Sequence, residues 1–542
     1  MIAMVHPNRP YPLYELPRIE SLRHMLEMQA HDDPDRISFR FRKGKEIAEK
    51  TASGFFRDVC ALGTWLIHHG IQEKHVALID GNSYPWLVVY FAVILSGNVI
   101  VPIDKDLSQE ELIRLLRHSE SSHVFTGKKL ASSLAETAAD VSFHLIADLD
   151  AMIAEGDSLL LSGDHSFLDV PQDLEKLAMI VYTSGTTGAS RGVMLSQANL
   201  VADINSGCHF FNPEGQSLSV LPFHHTFGLV VSMLMYICWG VTVFINTGIR
   251  YLMADFKDGR PVTAMLVPLH IQTFHRMIME NAKKTGKYRK LRTAMKLSLF
   301  LYSLGIDVRS SLMHEVREPF GGDLKYIFIG GAALDPFYER EFRAWGIELI
   351  TAYGATECSP GIAANRNFYH REGSAGRAIE CCELRIADDG EVMIRGENVM
   401  MGYYHDEAAT AEALHDGWYA SGDIGYLDED GFLFLTGRKK NLIILSDGEN
   451  VSPEKLEAGI ERIEGVSEAM VYEDNGSISV MIYPDEEHMN RQEWFDEQIK
   501  HFNDTLPPTQ RIKTVRLRSD EFPKSTSKKI LRHEVRKELD HV

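Results

Sequence analysis

Five times between residues 177 and 357 a short apolar run ends directly in a polar motif, and this alternation restricts the fold more than any other feature of the sequence. Residues 177–182 lead into TSGTTG, 218–221 into PFHHTFG, 264–267 into Pro268-Leu269-His270, 326–329 into GGAA, and 347–350 into AYGATE. Runs this short, bounded by turn residues, read as buried strands. Upstream, 76–79 reads as a strand, 86–95 as a helix and 99–101 as a strand stopped by Pro102, one βαβ unit that turns at Gly97 and Asn98. Residues 107–118 form an amphipathic helix capped by Ser108, 122–126 a further strand, and 17–75 helical segments with polar loops. The alternation predicts an α/β fold with largely parallel sheets. Ligands in open α/β sheets bind at the carboxyl ends of strands, so the set of motifs implies one shared crevice.

The first motif is the richest. YTSGTTGASRGVM (182–194) holds three Gly and five Ser or Thr in thirteen residues, with Arg191 near its end. Glycine lets the backbone approach a phosphate and aim N–H groups at it, hydroxyls add donors, and the guanidinium adds charge. The loop is not the GxxxxGK[ST] phosphate loop, because no Gly-Lys-Ser/Thr follows at that spacing.

At 542 residues the chain has material for three or four domain-sized units. A net charge of −20 argues against general nucleic-acid binding, since an acidic surface repels a phosphate backbone. Six scattered cysteines form no CxxC pair and no metal spacing, which fits a reducing compartment; adjacent Cys381 and Cys382 read as packed thiols. The first residues lack a continuous apolar segment, so no signal peptide is expected and the expected location is cytoplasmic. Residues 227–245 carry no charge and are about long enough to span a bilayer, but Gly240 splits them into a buried helix and a β-branched strand. From Lys283 to Lys296 a dense basic run stands in this acidic protein, followed by the apolar stretch 297–304. The preferred reading is a solvated helix face that leads into a core helix. The sharper one is a patch in peripheral contact with anionic lipid at the inner face of a membrane, collecting an apolar substrate.

Near Lys440 a new small domain begins: helix 453–463, strands 469–472 and 478–482, helix 491–506, strand 514–517 and a basic tail. Before it, WYASGDIG (418–425) sets Asp423 between strand-like segments, and 427–431 is a hairpin turn.

Seven stretches in order, YTSGTTGASRG (182–192), LPFHHTFG (221–228), GGAAL (330–334), AYGATE (352–357), WYASGDIG (418–425), GRKKN (437–441) and PKSTSKK (523–529), resemble the motifs of the AMP-forming adenylating enzymes. That family includes acyl-CoA synthetases, peptide-synthetase adenylation domains and beetle luciferases. The resemblance implies a large N-terminal region, 1–439, with mixed, largely parallel sheets, flanking helices and a β-rich part, and a small mobile α+β C-terminal domain, 440–542. It implies that a carboxylate attacks the α-phosphate of ATP, and that a thiol then displaces AMP from the acyl-adenylate. Thr183, Ser184, Gly185, Thr186, Thr187, Gly188 and Arg191 would hold the β- and γ-phosphates. Glu357 would be the hard oxygen ligand of Mg²⁺, and Thr356 would add a hydroxyl to the α-phosphate or metal. Tyr353 and Gly354 would face adenine, and Gly330, Gly331 and Ala332 would let the base approach backbone. Asp423 would accept both ribose hydroxyls, with Arg438 in support. Lys529 matches the adenylation lysine, Lys440 the hinge, and His225 the histidine near the acyl carboxylate and thiol path. Departures are Ser190-Arg191 for Pro-Lys, Ser421 for Thr and Lys528 for Gly.

Amino-acid-activating members carry an Asp after the second motif, and 224–231 has no carboxylate. The apolar helix at 229–239, the long segment 291–322 and GRKKNLIILSDGENVSPEKLE resemble the long-chain fatty acid–CoA ligases. The favoured function is therefore a fatty acid–CoA ligase using ATP, Mg²⁺ and CoA. Two others stand beside it: loading the phosphopantetheine thiol of an acyl carrier protein, and non-catalytic binding of acyl groups or nucleotides. The basic run 511–518 would hold CoA phosphates, or is a strand with solvated cations.

Overall fold

The computed structural model describes residues 3–4, 8–138, 140–183, 190–445, 450–474, 476–524 and 530–540. Compactness divides the chain into two units, residues 1–384 with 394–419, and residues 385–393 with 420–542.

The first unit is built on two large sheets. In one, five parallel strands run in the order Ser142–Leu145, His123–Thr126, His75–Ile79, Val99–Pro102 and Leu177–Thr183, and two antiparallel ones, Arg191–Ser196 and Gly402–Tyr403, complete the edge. Their cores are apolar on both faces, as a sheet covered by helices requires. The helix Tyr84–Leu95 crosses between two of these strands and buries every residue but Pro85. Ser108 caps the helix Gln109–His118 by accepting from Glu111 N–H. In the second sheet, strands Glu348–Gly354, Tyr326–Ile329, Thr263–Leu266, Ser217–Ser219, Val243–Ile245 and Ile37–Lys43 are parallel; Glu46–Thr51 pairs antiparallel at one edge, and Gly361–Ala364 with Arg377–Ala378 at the other.

The α/β class with largely parallel sheets is therefore present, with four local corrections. Residues 37–51, read as helical segments and loops, form a β-hairpin turning at Gly44, which takes φ +67°. Residues 352–354, read as a loop after a strand, continue the strand Glu348–Gly354. Asp423 lies within one unbroken strand, Trp418–Leu427, because the strand Leu433–Arg438 pairs along it. The apolar stretch 297–304 is not a core helix throughout. On the helix Tyr288–Ser303, Met295 and Ser298 are buried, whereas Leu297 and Phe300 and, just beyond its end, Leu304 are exposed.

Residues 227–245 are buried as expected, a π-helix Phe227–Leu234 followed by helix Met235–Cys238 and the strand Val243–Ile245. No helix among the described residues is long and apolar enough to cross a membrane. All six cysteines are free thiols, Cys381 and Cys382 included.

The second unit carries the strands Val466–Asp474, Ser477–Pro484 and Ile512–Leu517, with helices Pro453–Ile460 and Gln492–Asn503 packed on them through Leu456, Ile460, Phe495 and Ile499. The expected basic tail is a helix, Arg532–Asp540, tied down by an ion pair between Arg532 and the buried Glu457.

One buried charge sets the start of the strand Glu348–Gly354. Glu348 accepts from Arg309 Nη1 at 2.5 Å and from Arg343 Nε at 3.1 Å. Burial raises its pKa, but the two guanidiniums more than offset this and hold the carboxyl below the usual glutamate range. A group depressed in the folded state stabilises above its unfolded value of about 4.3, and that stability is lost as pH falls through the folded value. We expect Glu348→Gln to lower unfolding free energy by roughly 3 kcal/mol at neutral pH. Urea unfolding should show the gap between wild type and variant closing in acid below about pH 4.

Candidate active site

The two strands that flank the Gly/Thr/Ser loop in sequence pair with each other. Strand Leu177–Thr183 returns antiparallel as Arg191–Ser196, with Thr183 directly opposite Arg191. Ser184, Gly185, Thr186, Thr187 and Gly188, the expected phosphate cradle, lie outside the described residues. Their two anchors are described, and the register fixes both. The strand Arg191–Ser196 is covered on its far edge by Gly402–Tyr403, with Tyr403 opposite Val193. This brings the Arg191 guanidinium within 5.3 Å of the Tyr403 ring centroid. The Tyr403 hydroxyl donates to Glu357 Oε1 at 2.8 Å, and Met400 N–H donates to the Glu357 carbonyl at 2.8 Å. Burial first, then the Glu357 charge, pushes the Tyr403 phenol well up, so it stays protonated and a donor. Arg191 and Glu357, distant in sequence, are thus joined through one tyrosine. Tyr403 was missed by sequence reasoning; MMGYYHD carries no signal beyond two adjacent tyrosines.

Ser190, where proline is usual, has a structural reason. Its hydroxyl donates to Glu111 Oε1 and accepts from Arg114 Nη2, each at 3.3 Å, which ties the foot of the loop to the helix Gln109–His118. Beside it opens a cleft of about 280 Å³ lined by Arg114, His118, Arg191, His405 and Asp406 among others. Burial, followed by repulsion from His405 and Arg114, lowers the His118 basicity. The two fixed cations of this lining, Arg114 and Arg191, favour an anion.

The adenine candidates flank the second sheet. Tyr353 is only 9% exposed and lies in the strand Glu348–Gly354, opposite Ala363. Gly354 cannot be another residue without a shift, because a Cβ there would lie 2.4 Å from the Pro360 carbonyl oxygen. Thr356 and Glu357 follow in a short 3₁₀ turn. Gly330 is buried where a Cβ would meet the Phe227 ring at 2.8 Å; Gly331, at φ +83°, and Ala332 are exposed. His225 stands in the turn before Phe227, its ring 4.3 Å from that of His224. Burial lowers the pKa of His224 to about 4, so that ring is neutral.

A second residue was missed. Asp203, on the helix Gln197–Phe210, is fully buried and accepts from Gly361 N–H at 3.0 Å. Burial lifts its carboxyl to about 8 despite that hydrogen bond. Its sequence signal was a carboxylate on the same helix face as Leu200 and Ile204.

In the second unit, Asp423 and Arg438 are cross-strand partners, with Arg438 Nε 2.8 Å from Asp423 Oδ1. Ser421 supports them: its hydroxyl donates to the Val392 carbonyl at 2.7 Å and accepts from Asp423 N–H at 3.1 Å. Lys440 is exposed in the turn Lys439–Asn441, beside Lys439, which pairs with Asp389 and Glu391. Lys529 lies outside the described residues. In the basic run 511–518, Arg516 is paired with Asp474 and Arg518 with Glu538, so those two cations are already neutralised.

The chain matches the AMP-binding enzyme family over residues 26–404, and the C-terminal domain of such enzymes over 440–542. The chain belongs to the AMP-binding enzyme family. Among the relatives of this AMP-binding enzyme is the long-chain-fatty-acid–CoA ligase FadD15 of Mycobacterium bovis, 29% identical over 480 residues, which are 83% of this chain and 79% of the relative. Its fold is that of an anthranilate CoA ligase, AuaEII, solved with anthranoyl-AMP: TM-score 0.78, 18% identity, 96% of this chain and 98% of that one. It is also that of the o-succinylbenzoate CoA synthetase of Bacillus subtilis, solved with ATP and magnesium: TM-score 0.74, 22% identity, 94% and 99% covered.

Glu357 fits a magnesium ion by donor chemistry, since one carboxylate oxygen is held by Tyr403 and hard oxygen is what Mg²⁺ takes. No group of three His, Cys, Asp or Glu among the described residues could hold a metal, so phosphate oxygens and water would complete the set. In this AMP-binding enzyme we expect Tyr403→Phe, which keeps the ring under Arg191 but deletes the donor to Glu357, to raise the Mg²⁺ concentration needed for half-maximal ATP binding about tenfold. Calorimetric titration of ATP across a magnesium series measures this; an unchanged magnesium dependence contradicts the arrangement.

Proposed function

We propose that the chain is an AMP-forming acid–CoA ligase whose acid is a medium- to long-chain fatty acid. The observation that carries the reading is the connected set Arg191, Tyr403 and Glu357 at the foot of the hairpin loop, in a chain of the AMP-binding enzyme family. It supplies a cation for polyphosphate and a carboxylate for magnesium in one place. When bound, Mg²⁺ would lower the charge on the polyphosphate.

The roles then follow. Arg191 and the loop residues hold the β- and γ-phosphates, and Thr356 donates a hydroxyl toward the α-phosphate. Tyr353, Gly354 and Gly330 to Ala332 take adenine, and Asp423, steadied by Arg438, accepts from the ribose hydroxyls. A carboxylate oxygen attacks the α-phosphorus; its bond to the β-phosphate oxygen breaks and pyrophosphate leaves. To Lys529 we assign the positive charge that offsets the negative charge building between the attacking carboxylate and the α-phosphate. CoA sulfur then attacks the acyl carbon, the bond to AMP breaks, and AMP leaves with the carboxylate oxygen; the thiol proton goes to solvent. We place the domain boundary at 440, with Lys440 as the hinge that swings the small domain between the two steps.

Three things support a fatty acid. Residues 224–231 offer no carboxylate to an ammonium group, residues 227–238 are almost wholly apolar and mostly buried, and FadD15 is named for long-chain fatty acids. Each buried methylene would add about 0.8 kcal/mol.

Lys529→Ala tests the assignment through its two half-reactions. With dodecanoate, ATP and Mg²⁺, we expect adenylate formation, read as pyrophosphate exchange, to fall at least about 100-fold. Thioester formation from supplied dodecanoyl-AMP and CoA should stay within about threefold of wild type, since that step does not use the lysine. Equal losses in both refute the role. Wild-type exchange with anthranilate but not dodecanoate refutes the fatty acid, and exchange without thioester moves the acceptor from CoA to a carrier protein.

A further inference from the structure

We propose that the outward face of the helix Tyr288–Ser303 docks on an anionic lipid bilayer, and this stands independently of the ligase reading. Of the chain's exposed large apolar side chains, Leu297, Phe300 and Leu304 fall at i, i+3 and i+7, one stripe along this helix and the residue after it, with exposures of 47%, 60% and 60%. At the N-terminal end of the helix stand Arg289 and Lys290, and Lys296 directly precedes Leu297, all exposed. Ile306, also exposed, extends the apolar end into the short strand that follows. The face from Arg289 to Leu304 is about 22 Å long at 1.5 Å per residue.

The opposite face fixes the helix rigidly. Met295 and Ser298 are buried, the Ser298 hydroxyl donates to the Ala344 carbonyl at 2.6 Å, and Arg292 pairs with Glu341 at 2.5 Å. The outward apolar stripe is therefore not a misplaced core face, because the core face is already filled. Lys287 is neutralised by Glu315 at 2.8 Å, and Lys290 also acts on that carboxylate, whereas no ion pair to Arg289 or Lys296 is found among the described residues.

Cations beside exposed Phe and Leu match the boundary of an anionic membrane, where headgroups take the charge and the acyl region takes the rings and branched chains. The alternatives fit less well. A second copy meeting the same face across a two-fold axis would set cation against cation or cation against leucine. A nucleic acid would use the cations and leave the apolar stripe in water. A face of this kind would also bring the protein to where apolar carboxylic acids partition.

Co-sedimentation of the full chain with vesicles tests this, without substrate. One set is phosphatidylcholine alone, the other phosphatidylcholine with phosphatidylglycerol. Wild type should bind the anionic vesicles at least about tenfold more strongly than the neutral ones, and lose that margin as salt rises. Phe300→Ser with Leu304→Ser should weaken binding to anionic vesicles about tenfold, as should Lys290→Glu with Lys296→Glu. Leu161→Ser, at a leucine 79% exposed on another helix, should leave it unchanged. These positions lie on the surface, so pyrophosphate exchange with a water-soluble acid should persist in every variant. No binding by wild type, or equal binding by wild type and both double variants, overturns the proposal. So does a wild-type dimer in sedimentation that becomes a monomer in Phe300→Ser with Leu304→Ser, which would make this face a contact between copies.

Discussion

The hydrogen bond from the Tyr403 hydroxyl to Glu357 is the joint on which the candidate site depends. Each end of it is fixed by backbone pairing. Tyr403 is placed by its register against Val193, and Glu357 by the Met400 N–H that meets its carbonyl. The same pairing sets Arg191 over the tyrosine ring. Three residues from three distant stretches thus gain a common geometry from an edge strand only two residues long, Gly402–Tyr403. A phenol is suited to this place. It stacks beneath a guanidinium with its face and donates to a carboxylate with its edge, so it links the Arg191 cation to the Glu357 anion without neutralising either.

Two buried carboxyls carry the scaffold around this joint, and they solve burial in opposite ways. Glu348 stays ionised because Arg309 and Arg343 flank it, and it holds the base of the strand that ends at Tyr353 and Gly354. No cation among the described residues offsets the burial of Asp203, which lifts its carboxyl to about 8, so it is largely neutral near pH 7. It meets Gly361 N–H, where the chain re-enters the sheet after Glu357. The segment that carries Thr356 and Glu357 is therefore pinned where it leaves the sheet and where it returns. The closeness of Gly354 to Pro360 and of Gly361 to Asp203 leaves no room for a side chain at either position.

Much of this was legible in the sequence, for definite reasons. The strand at 326–329 and the cap at Ser108 were placed where they occur, because a short apolar run between turn residues and a serine before an amphipathic stretch each have one good reading. The hairpin at 37–51 was hidden because Arg40, Glu46 and Glu49 fill outward positions with residues common in helices; Arg40 and Glu49 pair across it at 2.9 Å. The stretch 297–304 misled in another way. Its composition is apolar, but the helical period turns Leu297, Phe300 and Leu304 outward and leaves Met295 and Ser298 inside. Tyr403 and Asp203 were illegible, because their importance comes from partners brought near only by the fold. Asp423 and Arg438 were named separately, and it is strand register that makes them partners.

The central claim is that these residues together form an acyl-adenylate, and isotope transfer tests it most directly. A fatty acid carrying ¹⁸O in both carboxylate oxygens is incubated with the enzyme, ATP, Mg²⁺ and CoA, and the products are read by mass spectrometry. One ¹⁸O per turnover should appear in AMP, since the oxygen that attacked the α-phosphorus leaves with it. Label in inorganic phosphate or pyrophosphate, or thioester formed without label in AMP, would contradict the account.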